Sequence, residues 1–229
     1  MLLAMQQEVE NNKHQIESSK LFFRSDSLLK KPAHFSEDST FSTIWLRGPV
    51  STGTSVHDEL ISVNTHLLPH FPVIANYILR FAKKKNSIPG RINIFFVSSE
   101  AIFKPHVDIG SYYAAHRRYH IVLKTDESIM SVGSKHLSFY EGDVFYINNK
   151  DMHTGQITNV AKGRIHVIFD LLPSRSHELI LIFIEWMYLA TKYKVEHQRE
   201  NFFVRIRTFA SISKAWRFSK KEKKSLFAQ

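Results

Sequence analysis

K-P-H-V-D-I-G-S-Y-Y-A-A-H-R-R-Y-H-I-V-L (residues 104–123) and D-M-H-T-G-Q-I-T-N-V-A-K-G-R-I-H-V-I-F-D-L-L-P (residues 151–173) bracket the part of the chain whose reading decides the fold. Within them R-R-Y-H-I-V-L-K (117–124) and R-I-H-V-I-F-D-L-L (164–172) are rich in the β-branched and aromatic residues that strands favour. The same texture recurs in R-I-N-I-F-F-V (91–97), S-I-M-S-V (128–132), K-H-L-S-F-Y (135–140) and D-V-F-Y-I (143–147). Turn signals V-G-S-K, Y-E-G-D and A-K-G-R fall between them. Short strands at such spacing predict a sandwich or barrel.

Outward from this block the pattern becomes helical. Upstream, a short β-type run from Thr43 to Leu46 ends at R-G-P, and Asp58 to Lys85 has apolar residues at helical spacing, broken by Pro69 and Pro72, which predicts one or two helices. Residues 1–40 are polar and mixed in charge and read as an N-terminal arm with a weak helical pattern early. Downstream of Pro173, helix is expected from Glu178 to His197 and again around Phe202 to Phe218.

With 229 residues, 43% of them hydrophobic, the chain can bury one good core. It has no cysteine, so a transition metal must be held by imidazole and carboxylate, and thirteen histidines make that practical. The opening M-L-L-A-M-Q-Q-E-V-E turns acidic before an apolar core develops, so no secretory signal is read there and a cytoplasmic protein is expected. The apolar run Leu179 to Ala190 has Glu185 inside it and is too short to cross a bilayer. The net charge of +10 is spread out, with one cluster at Lys220, Lys221, Lys223 and Lys224 that reads as a solvated tail, so no nucleic-acid partner is expected. A G-x-S-x-G nucleophile motif, a G-x-G-x-x-G and a phosphate loop are all missing.

The chemistry concentrates in the framing stretches. In a strand, residues two apart point to one side, so His106 and Asp108 would deliver an imidazole and a carboxylate to the same face. His153, at the start of a β-like segment, is the candidate third ligand. Two histidines and one carboxylate on one face of an octahedral ion leave positions open, as in non-haem Fe(II) oxygenases. Zinc hydrolases use similar ligands in a closed tetrahedron with one water. Arg164 opens the next strand, and its planar two-pronged donor matches the carboxylate of a dicarboxylic acid held at its other end by a metal.

These residues carry a resemblance. Pro105-His106, Arg118-Tyr119-His120, Glu141-Gly142, His153, Arg164 and Phe169-Asp170 resemble, in order, the pattern of the aspartyl/asparaginyl β-hydroxylase family of Fe(II)- and 2-oxoglutarate-dependent dioxygenases. The resemblance implies a double-stranded β-helix (jelly-roll) core at 41–173, mainly β with added helices, followed by a helical extension at 174–229. It implies Fe(II) on His106, Asp108 and His153, O₂ as oxidant, and 2-oxoglutarate bound by Arg164 with Arg118 and His120. Alternation puts Arg118 and His120 on one face and Arg117 on the other. Animal β-hydroxylases of the family lack the metal carboxylate that Asp108 supplies, whereas bacterial members that hydroxylate free amino acids such as proline have one. The loop between His106 and Arg118 is also longer than the family's.

The implied activity is hydroxylation of an unactivated C–H bond of an amino acid, free or in a small precursor. The alternatives are hydroxylation of Asp or Asn side chains in a peptide or protein, and a non-catalytic cupin-like metal-binding protein. A small amino-acid-like substrate is the expected partner; the oligomeric state is open. Of the other candidates, Asp151 reads as a turn residue, and His166 as pocket lining or core. His116, His136 and His177 read as loop or surface, Trp186 as helix packing, and Arg217 or Arg207 either as a contact for a substrate carboxylate, as the resemblance of 174–229 to the extension of bacterial proline hydroxylases implies, or as part of a basic surface helix.

Overall fold

The computed structural model describes residues 1–16, 41–49, 59–97, 102–108, 110–125, 129–156, 163–192 and 209–220. Its strands are β1 (Phe41–Pro49), β2 (Ser62–Asn64), β3 (Ser87–Val97), β4 (Ile102–His106), β5 (Arg117–Lys124), β6 (Ile129–Val132), β7 (Lys135–Ser138), β8 (Val144–Ile147), β9 (His153–Gln156) and β10 (Arg164–Pro173). They form a six-stranded sheet in the order β2-β1-β3-β10-β5-β8 and a four-stranded sheet in the order β4-β9-β6-β7. From β3 onward each strand pairs antiparallel with its mirror image about the β6–β7 hairpin: β3 with β10, β4 with β9, β5 with β8. An antiparallel ribbon rolled up in this way is a jelly roll, and the core is therefore a double-stranded β-helix.

Alternation along each strand divides its side chains between two faces. On β5 and β10 the outward set, Ile121, Leu123, Val167, Phe169 and Leu171, packs with Ile44, Leu46 and Ile94 against two helices, α1 (Leu2–Asn11) and α2 (Pro72–Lys84). The helices contribute Met5, Val9, Ile74, Ile78 and Ala82, the last three at the i, i+4 spacing of one helical face. Glu8 ties the pair together. Its carboxylate accepts the Val73 N–H at 2.6 Å and the Ile74 N–H at 2.9 Å, supplying partners for donors that the first turn of α2 cannot satisfy itself. The segment that reads as an arm thus begins with residues built into the main core.

The inward face differs. Val122, Met130, Phe139 and Ile147 form a small apolar cluster between the two sheets, and the other inward positions are largely polar. A third cluster closes the barrel where α3 (Ser111–Ala115), α4 (Ser176–Lys192) and a helix at 209–220 meet. There Ala114, Ala115, Leu172, Leu179, Phe183, Trp186 and Ile212 pack together, and the Trp216 indole N–H donates to the Pro173 carbonyl at 2.7 Å. Among the described residues no helix is long and apolar enough to cross a membrane.

Two expectations change in detail. Ser62–Asn64 pairs with β1 as an edge strand, where helix was read from 58 onward. A strand of three residues is too short to show a period of two, and the helix itself waits for Pro72, whose missing N–H suits a first turn. The long loop after His106 contains α3. The readings for 193–208 and for the basic tail beyond 220 lie outside the described residues.

Gly90, on β3, marks the tightest contact of this framework. A Cβ there would lie 2.6 Å from the Tyr112 hydroxyl and 2.8 Å from His116 Cδ2, both buried and stacked on each other. Gly90→Ala is expected to lower stability by about 1–3 kcal/mol through overpacking, measured as a shift of the urea midpoint.

Candidate metal centre

His106 ends β4 and His153 begins β9, and the two are Cα partners across that antiparallel pair. Their rings consequently face each other with centroids 4.2 Å apart. Asp108 lies two residues beyond the end of β4, so strand alternation does not place it; its backbone N–H is held at 2.9 Å by the Asn149 carbonyl. The three side chains come together: one ligand atom from each lies within 4.8 Å of the others.

The hydrogen bonds around the three leave the right atoms for a cation. His106 Nδ1 is 2.8 Å from the Lys104 carbonyl and His153 Nδ1 is 3.0 Å from the Asp151 carbonyl. A carbonyl only accepts, so each Nδ1 carries a proton and Nε2 is the nitrogen left to face a metal, the arrangement by which outer partners orient metal-binding histidines. Asp108 Oδ2 accepts from Arg118 Nη1 at 2.6 Å and from Asn149 Nδ2 at 2.8 Å, which leaves Oδ1 for an ion. Burial works to raise the Asp108 pKa, but Arg118, then His153 and the Asn149 hydrogen bond, bring it down to about 2. Burial pushes the His153 pKa down against the pull of Asp108. Two imidazoles and a carboxylate, with no thiolate, suit Fe(II), Mn(II) or Zn(II).

Across the barrel, the inward face of the six-stranded sheet carries Arg118 and His120 from β5 and Arg164, His166 and Asp170 from β10. Arg164 is buried, and burial lowers its pKa to about 10, still high enough to keep the guanidinium charged at neutral pH. Its Nε donates to His166 Nε2 at 3.1 Å, and His166 Nδ1 is 3.2 Å from His120 Nδ1. The Arg164 Nη2 also lies 3.3 Å from His166 Nδ1, so the guanidinium edge is held along the His166 ring. Both rings are held well below the usual histidine pKa, first by burial and then by the neighbouring Arg164 cation.

Arg117 lies on the opposite face, where Nη1 pairs with Glu178 on α4 at 3.1 Å. Arg118 is the inward arginine, as alternation requires. It is nevertheless already engaged by two carboxylates of the chain, Asp108 and Asp170, a different placement from that of a second arginine waiting for a cosubstrate. Asp151 accepts from the Met152 N–H at 2.9 Å and stays out of the ligand group, as a turn residue does. His136 and His177 are exposed, and Trp186 packs α4. Arg217 is exposed and returns its Nε to the Ser213 carbonyl of its own helix; Arg207 lies outside the described residues.

His116 corrects the surface reading. It is 3% exposed, stacked on Tyr112 with centroids 3.9 Å apart, and burial lowers its pKa to about 4. Lys150, not singled out from the sequence, is 2% exposed and donates from Nζ to the His116 carbonyl at 2.8 Å. Burial brings its pKa down to about 8. The apolar run Y-Y-A-A before His116 was the available signal that this loop turns inward; for Lys150 there was none.

No protein-family model matches the chain, and no curated protein sequence does. Among solved structures it is similar to a cupin 2 conserved barrel domain protein from Salinispora arenicola, at 13% identity and a TM-score of 0.27, over 34% of this chain and 60% of that one. It is also similar to KdgF from Halomonas sp., at 16% identity and a TM-score of 0.28, over 39% of this chain and 73% of that one. The aligned region thus spans less than two thirds of the first of these proteins. At such scores the fold assignment rests on the chain's own strand order: a jelly-roll barrel in which two histidines of the four-stranded sheet and an aspartate just beyond β4 come together as a candidate metal site.

Proposed function

We propose that the chain is an Fe(II)- and 2-oxoglutarate-dependent dioxygenase that hydroxylates an unactivated C–H bond of an amino acid, free or in a small precursor. The observation that carries this reading is the pairing, inside one barrel, of a two-histidine, one-carboxylate group on one sheet with a buried arginine on the other. His120 lies within electrostatic reach of both, feeling Arg164 as well as Arg118, His153 and Asp108.

In this reading His106, Asp108 and His153 hold Fe(II), and Arg164 holds the distal carboxylate of 2-oxoglutarate. Together the metal, cosubstrate and O₂ supply the oxidising power, converting substrate C–H to C–OH while 2-oxoglutarate becomes succinate and CO₂. The chain's part is to bind and orient. His166 fixes the Arg164 fork, and the neutral His120–His166 pair adds no positive charge to compete with Arg164 for the dicarboxylate. Met130, Phe139, Phe145 and Ile147 line the interior with apolar surface that excludes water. Asp108, the carboxylate that animal β-hydroxylases lack, and the helices after Pro173 favour a small amino acid over a folded protein.

Arg164→Ala tests the anchor. Charge-assisted hydrogen bonds contribute about 1.5–3 kcal/mol each, and every 1.4 kcal/mol is about tenfold in affinity. The variant is therefore expected to bind 2-oxoglutarate roughly 10- to 100-fold more weakly, or worse, with metal affinity little changed. Unchanged 2-oxoglutarate affinity would remove Arg164 from this role. For the substrate, free amino acids beginning with proline are compared with short Asp- or Asn-containing peptides while succinate is monitored. Coupling with peptides alone would move the activity to side-chain hydroxylation.

A further inference from the structure

We propose that Arg118 is a positioning residue for the metal centre: clamped by Asp170, its guanidinium fixes Asp108 through Oδ2 so that the ligand offers only Oδ1. The inference rests on the reading of His106, Asp108 and His153 as a metal site, and not on the oxidation chemistry assigned to it.

Arg118 and Asp170 are Cα partners on β5 and β10, which puts guanidinium and carboxylate side by side. Nε donates to Asp170 Oδ1 at 2.9 Å and Nη2 to Asp170 Oδ2 at 3.2 Å, a two-pronged pair with Asp170 only 2% exposed. The remaining arm, Nη1, reaches 2.6 Å to Asp108 Oδ2. The Tyr113 ring lies 4.8 Å from the guanidinium carbon and braces the plane from the α3 side.

The geometry calls for arginine specifically. A planar fork can serve Asp170 with one edge and Asp108 with another, whereas a lysine ammonium is a point charge with no such edge. Asp108 needs this help because it lies beyond the end of β4, where no strand pairing fixes its side chain; Arg118 and the Asn149 amide do so instead. With Oδ2 taken by both donors, Asp108 is restricted to one-oxygen ligation, which leaves open a coordination position that a two-oxygen carboxylate would fill. The same engagement removes Arg118 as a second anchor for 2-oxoglutarate.

The test uses the full-length protein and Co(II) alone, whose visible absorption reports the number and kind of ligands. Wild type is expected to bind one Co(II). If it binds none, the metal-site reading itself fails, which is a separate outcome. Given binding, Arg118→Met is expected to hold Co(II) about 10- to 100-fold more weakly, the range for loss of an outer partner, with a changed visible spectrum as Oδ2 is released. Arg118→Lys, which keeps a buried cation, is expected to recover part of the affinity but not the wild-type spectrum. Should Arg118→Met fail to fold, the lysine variant is judged by the same standard. Wild-type affinity together with an unchanged spectrum, in whichever variant folds, would overturn the proposal and return Arg118 to the cosubstrate.

Discussion

In a His106→Ala/His153→Ala variant, divalent metal binding is expected to disappear while the barrel stays folded. The two rings are the facing halves of the site, paired across β4 and β9, and each is preset by a backbone carbonyl with Nε2 directed away from it. Removing both leaves Asp108 as one carboxylate whose second oxygen is already occupied, and a single oxygen does not retain a transition metal against water. The loss should exceed the roughly 10- to 100-fold that removal of an outer partner produces. The fold should survive because neither ring belongs to an apolar cluster and both are only half-buried. Calorimetric titration with Co(II) or Mn(II), beside a circular dichroism spectrum, checks both halves of this expectation. Binding as tight as wild type would place the metal elsewhere.

The second large effect is acid lability. His116, His120 and His166 are kept neutral in the folded state: burial lowers the His116 pKa to about 4 and puts the other two well below the ordinary value, with Arg164 adding to burial for both. The unfolded chain takes up a proton at each as pH falls through about 6.5. The folded chain does not, so below that pH the unfolded state binds more protons and stability falls as pH falls. Each group contributes about 1.4 kcal/mol per pH unit, so three together approach 4 kcal/mol per unit between roughly pH 6 and 4. Against a total stability of about 5–15 kcal/mol, that is a large fraction lost on acidification. Below about 4 the His116 share levels off as its folded form protonates too. Urea midpoints recorded from pH 7.5 to 4.5 should show the decline, and His116→Gln should flatten it by one group. A level profile over that range would mean these rings are not held neutral by burial.

The strands of the barrel were legible because their turns carry a physical signature: Gly133 in V-G-S-K and Gly142 in Y-E-G-D have φ of 57° and 95°, a region that other residues rarely adopt. Alternation grouped Arg118 with His120 and set Arg117 apart, but which of the two faces inward was open in the sequence; the Arg117–Glu178 and Arg118–Asp170 pairs show it. Other features rest on partners far away in the sequence. Asp108 reads as a strand neighbour of His106, but its position comes from Asn149, and no local pattern announces a contact 41 residues away. Glu8 caps a helix 65 residues downstream, and Lys150 is buried against a carbonyl 34 residues upstream; each is a charged residue that a sequence reading sends to the surface. The double role of Arg118 was hidden for the same reason. A motif names the residue, and only its register with Asp170 shows which carboxylates it meets.

The most direct test of the central claim is anaerobic reconstitution of the full chain with Fe(II) followed by 2-oxoglutarate. A metal held by His106, Asp108 and His153, with the keto acid chelating it and Arg164 gripping the far carboxylate, should give the visible charge-transfer band of an Fe(II)–2-oxoglutarate chelate, in one-to-one proportion and absent from the His106→Ala/His153→Ala variant. Fe(II) bound at this site with no band at saturating 2-oxoglutarate would contradict the account and leave a jelly-roll metal-binding protein of another kind.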